Sequence, residues 1–213
     1  MNSTPRAPFK DFCSACSRLL CLLLILLLLM ITGIALGESR ADPRYSAKSG
    51  KVAFRVGTNI PYLQVVGSAP AIRGGGEAAV AGNAATIRNL SFELEPKTLK
   101  TGMKLRDQHM YEKVFAAADG SIPPVVLRAE HFEAAFNPGS ARWEGTLQAQ
   151  LTLRGVTKPV SFRAWGEKKD DGAMVNAEGT VKTSDFGVKK ISYSGATVND
   201  AVVVTVSNLR VDR

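Results

Sequence analysis

The chain has 213 residues, 27 basic and 19 acidic side chains and a net charge of +8, which allows one domain plus a targeting segment. Its three cysteines, Cys13, Cys16 and Cys21, all precede residue 42, so a chain shortened there is excluded from disulfide, thiol-catalytic and thiolate-metal chemistry. The later bases, such as Lys51, Arg55, Arg88, Lys104, Arg106 and Lys182, are interspersed with acids as on a solvated surface. They do not cluster beside aromatic residues, so no nucleic-acid partner is expected.

Taken in order, the chain opens with Arg6, Lys10 and Arg18 ahead of a leucine-dominated run from Leu19 to Leu36. A basic stretch followed by an apolar one is the layout of a secretory signal. Ser39 and Ala41 put small residues at the right offsets for cleavage after Ala41, and Ala35 with Gly37 offers a second site. The run is long for a signal and at the lower limit for a membrane span. The expectation is a signal peptide over 1–41, with an uncleaved signal anchor as the alternative, and one domain over 42–213. The domain would then be periplasmic or secreted, or tethered outside the inner membrane. No cysteine follows the apolar run where a lipoprotein would need one.

From Lys51 onward apolar and polar residues alternate with period two, the pattern of half-buried strands. Val52, Phe54 and Val56 form one such face, and Leu90, Phe92 and Leu94 another. The clearest runs from Trp143 to Arg154, where Trp143, Gly145, Leu147, Ala149, Leu151 and Leu153 oppose an entirely polar set. Val160, Phe162 and Ala164 continue the theme, then Val175, Ala177, Gly179 and Val181, and finally an apolar strand from Ala201 to Val211. The Gly-rich stretch between Leu63 and Val80 is poorly patterned and is expected to supply two more strands. Turn residues at Asn137-Pro138-Gly139, Gly155 to Pro159 and Asp170-Asp171-Gly172 separate the runs closely, which favours hairpins over parallel crossovers.

One segment departs from this. Met110, Val114, Phe115 and Ala118 fall on a single helical stripe, which predicts a helix over 107–118 with Asp107 as N-cap and Asp119-Gly120 as its stop. One helix within an all-β chain reads as a plug or lid over a closed barrel. Thr101 to Met110 brings Arg106, Asp107 and His109 together at the helix start. That set can be a helix cap with a local ion pair, a polar mouth above an apolar interior, or both.

Chemistry-bearing motifs are sparse. Gly74-Gly75-Gly76-Glu77-Ala78-Ala79 matches a dinucleotide fingerprint by letter, but no strand–turn–helix unit surrounds it, and a flexible hairpin turn is expected there instead. The two histidines, His109 and His131, fit no familiar metal spacing. No nucleophile elbow is present. No catalytic residue, metal or cofactor is therefore expected.

Three segments carry a family resemblance. Thr101-Gly102 with Arg106-Asp107-x-His109-Met110, then Leu151 to Val160, then Thr183-Ser184-Asp185-Phe186-Gly187-Val188 resemble, in order and spacing, segments of the YceI-like, polyisoprenoid-binding proteins. The likeness runs from about Lys51 to the C-terminus. It implies an extended, lipocalin-like, eight-stranded antiparallel β-barrel that is exported and that holds an isoprenoid quinone or another polyprenyl lipid. Arg154 stands where the family often has His, and Thr183 where it often has Arg; both are expected at turns or on the outer face.

Together these readings give an all-β barrel with one short helix near its mouth, working as a carrier of a long apolar lipid. An isomerase or hydrolase acting on a small amphiphile in the same cavity is the alternative. The expected ligand-binding residues are Phe54, Val56, Leu90, Phe92, Arg106, Asp107, His109, Met110, Leu147, Leu151, Phe162 and Phe186. Parity turns Phe54, Phe92, Leu147, Leu151 and Phe162 inward around an apolar tunnel, with a solid barrel as the competing possibility. Partners are the lipid, with transient contact to a membrane or membrane protein; the oligomeric state is open, a homodimer included.

Overall fold

The computed structural model describes residues 43–213 except 71 and 194; the expected signal and its cleavage site lie outside them. Ten strands run in chain order: β1 (Arg44–Thr58), β2 (Gln64–Ala69), β3 (Arg73–Ala81), β4 (Ala84–Leu94), β5 (Val125–Asn137), β6 (Arg142–Leu153), β7 (Val156–Lys169), β8 (Gly172–Lys182), β9 (Ser192–Tyr193) and β10 (Ala196–Asp212). Every pairing is antiparallel. The order β1-β3-β4-β5-β6-β7-β8-β10 closes through β1–β10, giving an eight-stranded barrel. β2 and β3 together make one staved position. β2 pairs with residues 52–57 of β1, and β3 pairs with residues 44–46. Closure removes the free edges that an open sheet would present.

The alternating segments became strands because one parity can be buried all along each of them. On β6, Leu147, Ala149 and Leu153 are buried while Thr146, Gln148 and Gln150 are exposed. Slipping that register by one residue would bury the polar set, at a cost that no native pairing carries.

Three expectations need correction. The glycine run 74–76 lies inside β3, and the hairpin turn comes later, at Gly82-Asn83. A Cβ at Gly74 would meet the Ser91 carbonyl, and one at Gly75 the Tyr45 carbonyl. The glycines are there for close strand approach, at the junction of β1, β3 and β4. The β6–β7 connection is shorter than its composition implies. Arg154 (φ 47°) and Gly155 (φ 83°) form a two-residue turn, and the strand resumes at Val156. Two successive left-handed residues match the twist of the flanking strands.

The helix also begins earlier and ends sooner than expected. α1 spans Lys104–Met110 and continues as a π-helical turn over Tyr111–Phe115. Met103 is its N-cap, and Asp107 lies within the first turns. Asp107 instead reaches back to Thr101, whose backbone N–H and hydroxyl both donate to its carboxylate. Beyond Phe115 the chain turns at Gly120 (φ 82°), and Pro123-Pro124 lead into β5.

The helical segment covers the end of the barrel where β4, β6 and β8 finish. Phe115 belongs to the same apolar cluster as Leu99, Leu153, Val181 and Phe186, and Met110, Tyr111 and Val114 pack against that cluster. Among the described residues the opposite end carries the short turns β3–β4, β5–β6 and β7–β8. We refer to these as the helix end and the turn end.

Candidate functional site

The interior is built by parity. Phe54 and Val56 of β1, Leu90 and Phe92 of β4, Leu147 and Leu151 of β6 and Phe162 of β7 all lie on the inward face of their strands. Val56, Leu147 and Phe162 are buried; the others are half-buried. Leu147 and Phe162 belong to the central apolar cluster, and Phe54, Leu90 and Leu151 pack against it. Phe92 lies in register between Gly74 and Leu127 and stands outside that cluster. Phe186, in the helical turn Thr183–Phe186 after β8, is 1% exposed and seals the helix end from within.

The filling differs along the axis. From the middle to the helix end the interior is packed solid around Leu147, Leu153, Phe162, Val181 and Phe186. Towards the turn end the inward residues Ile87, Phe132, Phe136, Trp143, Val175 and Val211 are only half-buried. Trp143 meets Phe136 edge to face with centroids 5.0 Å apart, and its buried Nε1 has no hydrogen-bond partner.

Three inward rings pack over glycines of neighbouring strands. Phe54 covers Gly67, Phe132 covers Gly145 and Phe162 covers Gly179, and a Cβ at any of the three would collide with the ring. At Gly179 the collision would be at 2.6 Å from the Phe162 ring and 2.7 Å from the Ser161 carbonyl.

At the helix end the polar residues fasten the lid to itself. The Asp107 carboxylate accepts from the Thr101 backbone N–H at 2.7 Å and from its hydroxyl at 2.6 Å. Burial pushes the Asp107 carboxyl up, but these bonds, with Lys100 and Arg106 nearby, outweigh it and hold the group below the ordinary carboxylate range. Arg106 donates to the Thr101 carbonyl at 2.6 Å, while its Nε is buried without a partner. The Tyr111 hydroxyl donates to the Leu99 carbonyl at 2.7 Å and accepts from Lys100 Nζ at 2.9 Å. His109 lies against the Tyr193 ring, centroids 5.6 Å apart, and Met110 points into the core.

Asp119 and Asp200 are also held below the ordinary range, by Ser121 and by Ser184 with Thr183, and a fourth carboxylate is on the outer wall near the turn end. Glu144 accepts from Arg142, Ser140 and Arg163, which pull it down to about 2. His131 is likewise outward and exposed, 3.1 Å from Glu133. Among the described residues no group of His, Cys, Asp and Glu is arranged to hold a metal ion. Two grooves of about 480 and 440 Å³ open on the wall; the second is lined by Arg44, Tyr45, Ser46, the three glycines of β3, Glu77, Asn89 and Ser91.

The YceI-like domain model matches residues 44–208, the whole barrel but its last few residues. The chain belongs to the YceI-like family. A UPF0312 protein of Pseudomonas fluorescens is 31% identical over 120 residues, 52% of this chain; the chain spans 57% of that relative's length. Two solved structures share the fold. A polyisoprenoid binding domain from Saccharophagus degradans, implicated in plant cell wall breakdown, superposes with a TM-score of 0.52 at 12% identity over 78% of this chain and 96% of that one. BcnA of Burkholderia cenocepacia does so with a TM-score of 0.56 at 14% identity over 77% and 96%. Both departures of this YceI-like barrel from the family pattern lie away from the lumen. Arg154 sits in the β6–β7 turn and donates to the Gly187 carbonyl at 3.3 Å. Thr183 and Ser184 both bond the Asp200 carboxylate.

Proposed function

We propose that this chain is an exported binding protein that carries one long apolar lipid, a polyisoprenoid or isoprenoid quinone, within its barrel. The observation that carries the reading is the lumen itself. Inward positions from all eight staves are apolar and loosen from a solid plug at the helix end to half-buried aromatic walls at the turn end. A slim polyprenyl tail needs no more than this, since each buried CH₂ contributes roughly 0.8 kcal/mol. The carboxylates held below the ordinary range, Asp107, Asp119, Glu144 and Asp200, accept hydrogen bonds in the lid, in surface loops and on the outer wall. An enzyme acting on the lumen's contents would need such groups facing inward.

In this reading the lid parts to admit the tail past Met110, Leu151 and Phe186 into the slack turn end, and Arg106, whose Nε–H is buried without a partner while the lid is closed, meets the headgroup that stays at the helix end. Asp107 and His109 act on the headgroup through the lid that they order. Native mass spectrometry of the purified protein, followed by organic extraction, tests it: a mass increment that extracts as a prenyl lipid is expected, and a chain that never yields or takes up such a lipid overturns it. Arg106→Ala should reorder the preference among ligands of different headgroup while leaving tail-length preference alone. An unchanged order would leave Arg106 as a fastener only.

A further inference from the structure

We infer that the helix end is a membrane-docking face that reads anionic lipid headgroups. Three segments meet there. The β1–β2 loop is tied to the β9–β10 hairpin by Asn59, whose N–H donates to the Thr197 carbonyl at 2.9 Å and whose side-chain oxygen accepts from the Thr197 N–H at 2.6 Å. The hairpin in turn touches α1 through Tyr193 and His109. Across these segments the chain exposes Ile60 (42%), Tyr62 (102%), Leu63 (45%), Met103 (57%), Leu105 (52%) and Tyr193 (61%).

These six account for most of the large apolar side chains exposed among the described residues, and the turn end contributes only Val80. Monomeric proteins seldom gather exposed apolar groups without a surface to bury them in. Tyr62 also holds a left-handed backbone (φ 64°) that lifts its ring fully into solvent.

Charge identifies the occupant. Lys104, Lys189 and Lys190 ring the apolar tips, and none of them has an acidic partner among the described residues. Among the acids of the lid and the segments beside it, Asp107 is buried and spent on Thr101, Glu112 accepts from Gln108, Asp119 from Ser121 and Asp200 from Thr183 and Ser184, which leaves Glu95 and Asp185 exposed. Apolar and tyrosine tips inside a lysine ring are the composition of an interfacial anchor, with the tips in the headgroup layer and the ammonium groups on its phosphates. The tips stand on three separate segments, the β1–β2 loop, α1 and the β9–β10 hairpin, which a fluid surface accommodates without a shaped counterpart. Each lysine near an anionic leaflet is worth roughly fivefold in partitioning.

The docking face stands on this surface chemistry alone; the carrier reading adds only a reason for it. The test therefore reads docking without cargo. The full chain is reconstituted into vesicles of phosphatidylcholine with phosphatidylglycerol bearing brominated acyl chains, in three forms: Leu63→Trp, Leu105→Trp and Val80→Trp. Trp143 and Trp165 give the same background in each. The expected result is a blue shift and loss of the added emission at positions 63 and 105 and none at 80. Reversal is expected in pure phosphatidylcholine or in a Lys104→Glu, Lys189→Glu, Lys190→Glu background. Equal quenching at all three positions, or none at 63 and 105, overturns the proposal. A blue shift without quenching that grows with protein density overturns it too, and assigns the face to a second copy of the chain. Recovery or absence of an extracted lipid leaves this result unaffected.

Discussion

The two ends of the barrel solve the problem of closure differently. At the turn end, two- to four-residue connections simply return each strand, and the lumen behind them is walled by half-buried aromatics. At the helix end the chain spends some thirty residues between β4 and β5 on a lid, drives Phe115, Phe186 and Leu99 into the barrel, and leaves an apolar, lysine-ringed surface outside. The difference teaches that stability and room are assigned to opposite ends: packing sits under the lid, and slack sits away from it. A barrel packed evenly would be more stable and would have nowhere to hold a tail.

The sharpest way to break this contrast is to delete one large ring at each end. Phe186→Ala should cost about 3–5 kcal/mol, because a nearly inaccessible ring leaves a cavity that its neighbours cannot fill. Trp143→Ala should cost less than half as much, its ring being half-buried and its Nε1 unpartnered. Urea unfolding of the two variants measures this, and equal losses would mean that both ends are packed alike.

Next in size is the middle of the barrel. Gly179→Ala should destabilise by roughly 1–3 kcal/mol, since the added methyl meets both the Phe162 ring and the Ser161 carbonyl and only the ring can move. The change in thermal midpoint reads it.

At the lid, Asp107→Ala should cost about 1–3 kcal/mol by leaving the Thr101 N–H and hydroxyl without their acceptor. Amide exchange should then quicken across 101–115 while the strands at the turn end stay protected. Uniform loss of protection would show that the lid is not a separate unit.

The smallest effect is the acid response. Asp107 and Glu144 both have carboxyls held below their ordinary values of 3.8 and 4.5, Glu144 at about 2. Folding therefore gains from both at neutral pH, and the gain fades as pH falls below those ordinary values towards the lowered ones. Glu144→Gln should flatten the decline of thermal midpoint between about pH 4.5 and 2, the window its shift defines. A decline unchanged by the substitution would assign the acid sensitivity elsewhere.

Much of the barrel was legible because most strands keep one parity from end to end. β5 was not, and the cause is specific. Val125, Leu127 and Ala129 face inward, Glu130 and His131 both face out, and Phe132, Ala134 and Phe136 face inward again. β4 makes the matching change at Arg88 and Asn89, where Asn89 has φ 52°. A parity switch looks like noise in one strand and becomes meaningful only beside its partner. The helix was found from its apolar stripe, but its start was misread because Asp107 satisfies Thr101 across a turn, a tie no local rule would assign. The exposed tips of the helix end were legible as letters and silent as a surface, since loop 59–63 and hairpin 192–197 become neighbours only through the β1–β10 closure.

The rings packed over Gly67, Gly145 and Gly179 have a consequence for how such a barrel changes over generations. Each glycine makes room for an aromatic group against the wall. At Gly67 and Gly179 a methyl would meet the ring first and push it towards the bore, whereas at Gly145 it would meet the Glu133 carbonyl before the ring; each change needs a single nucleotide. The gauge of the lumen can thus be reset in small steps by residues of the wall itself, while strand order and lid are inherited intact.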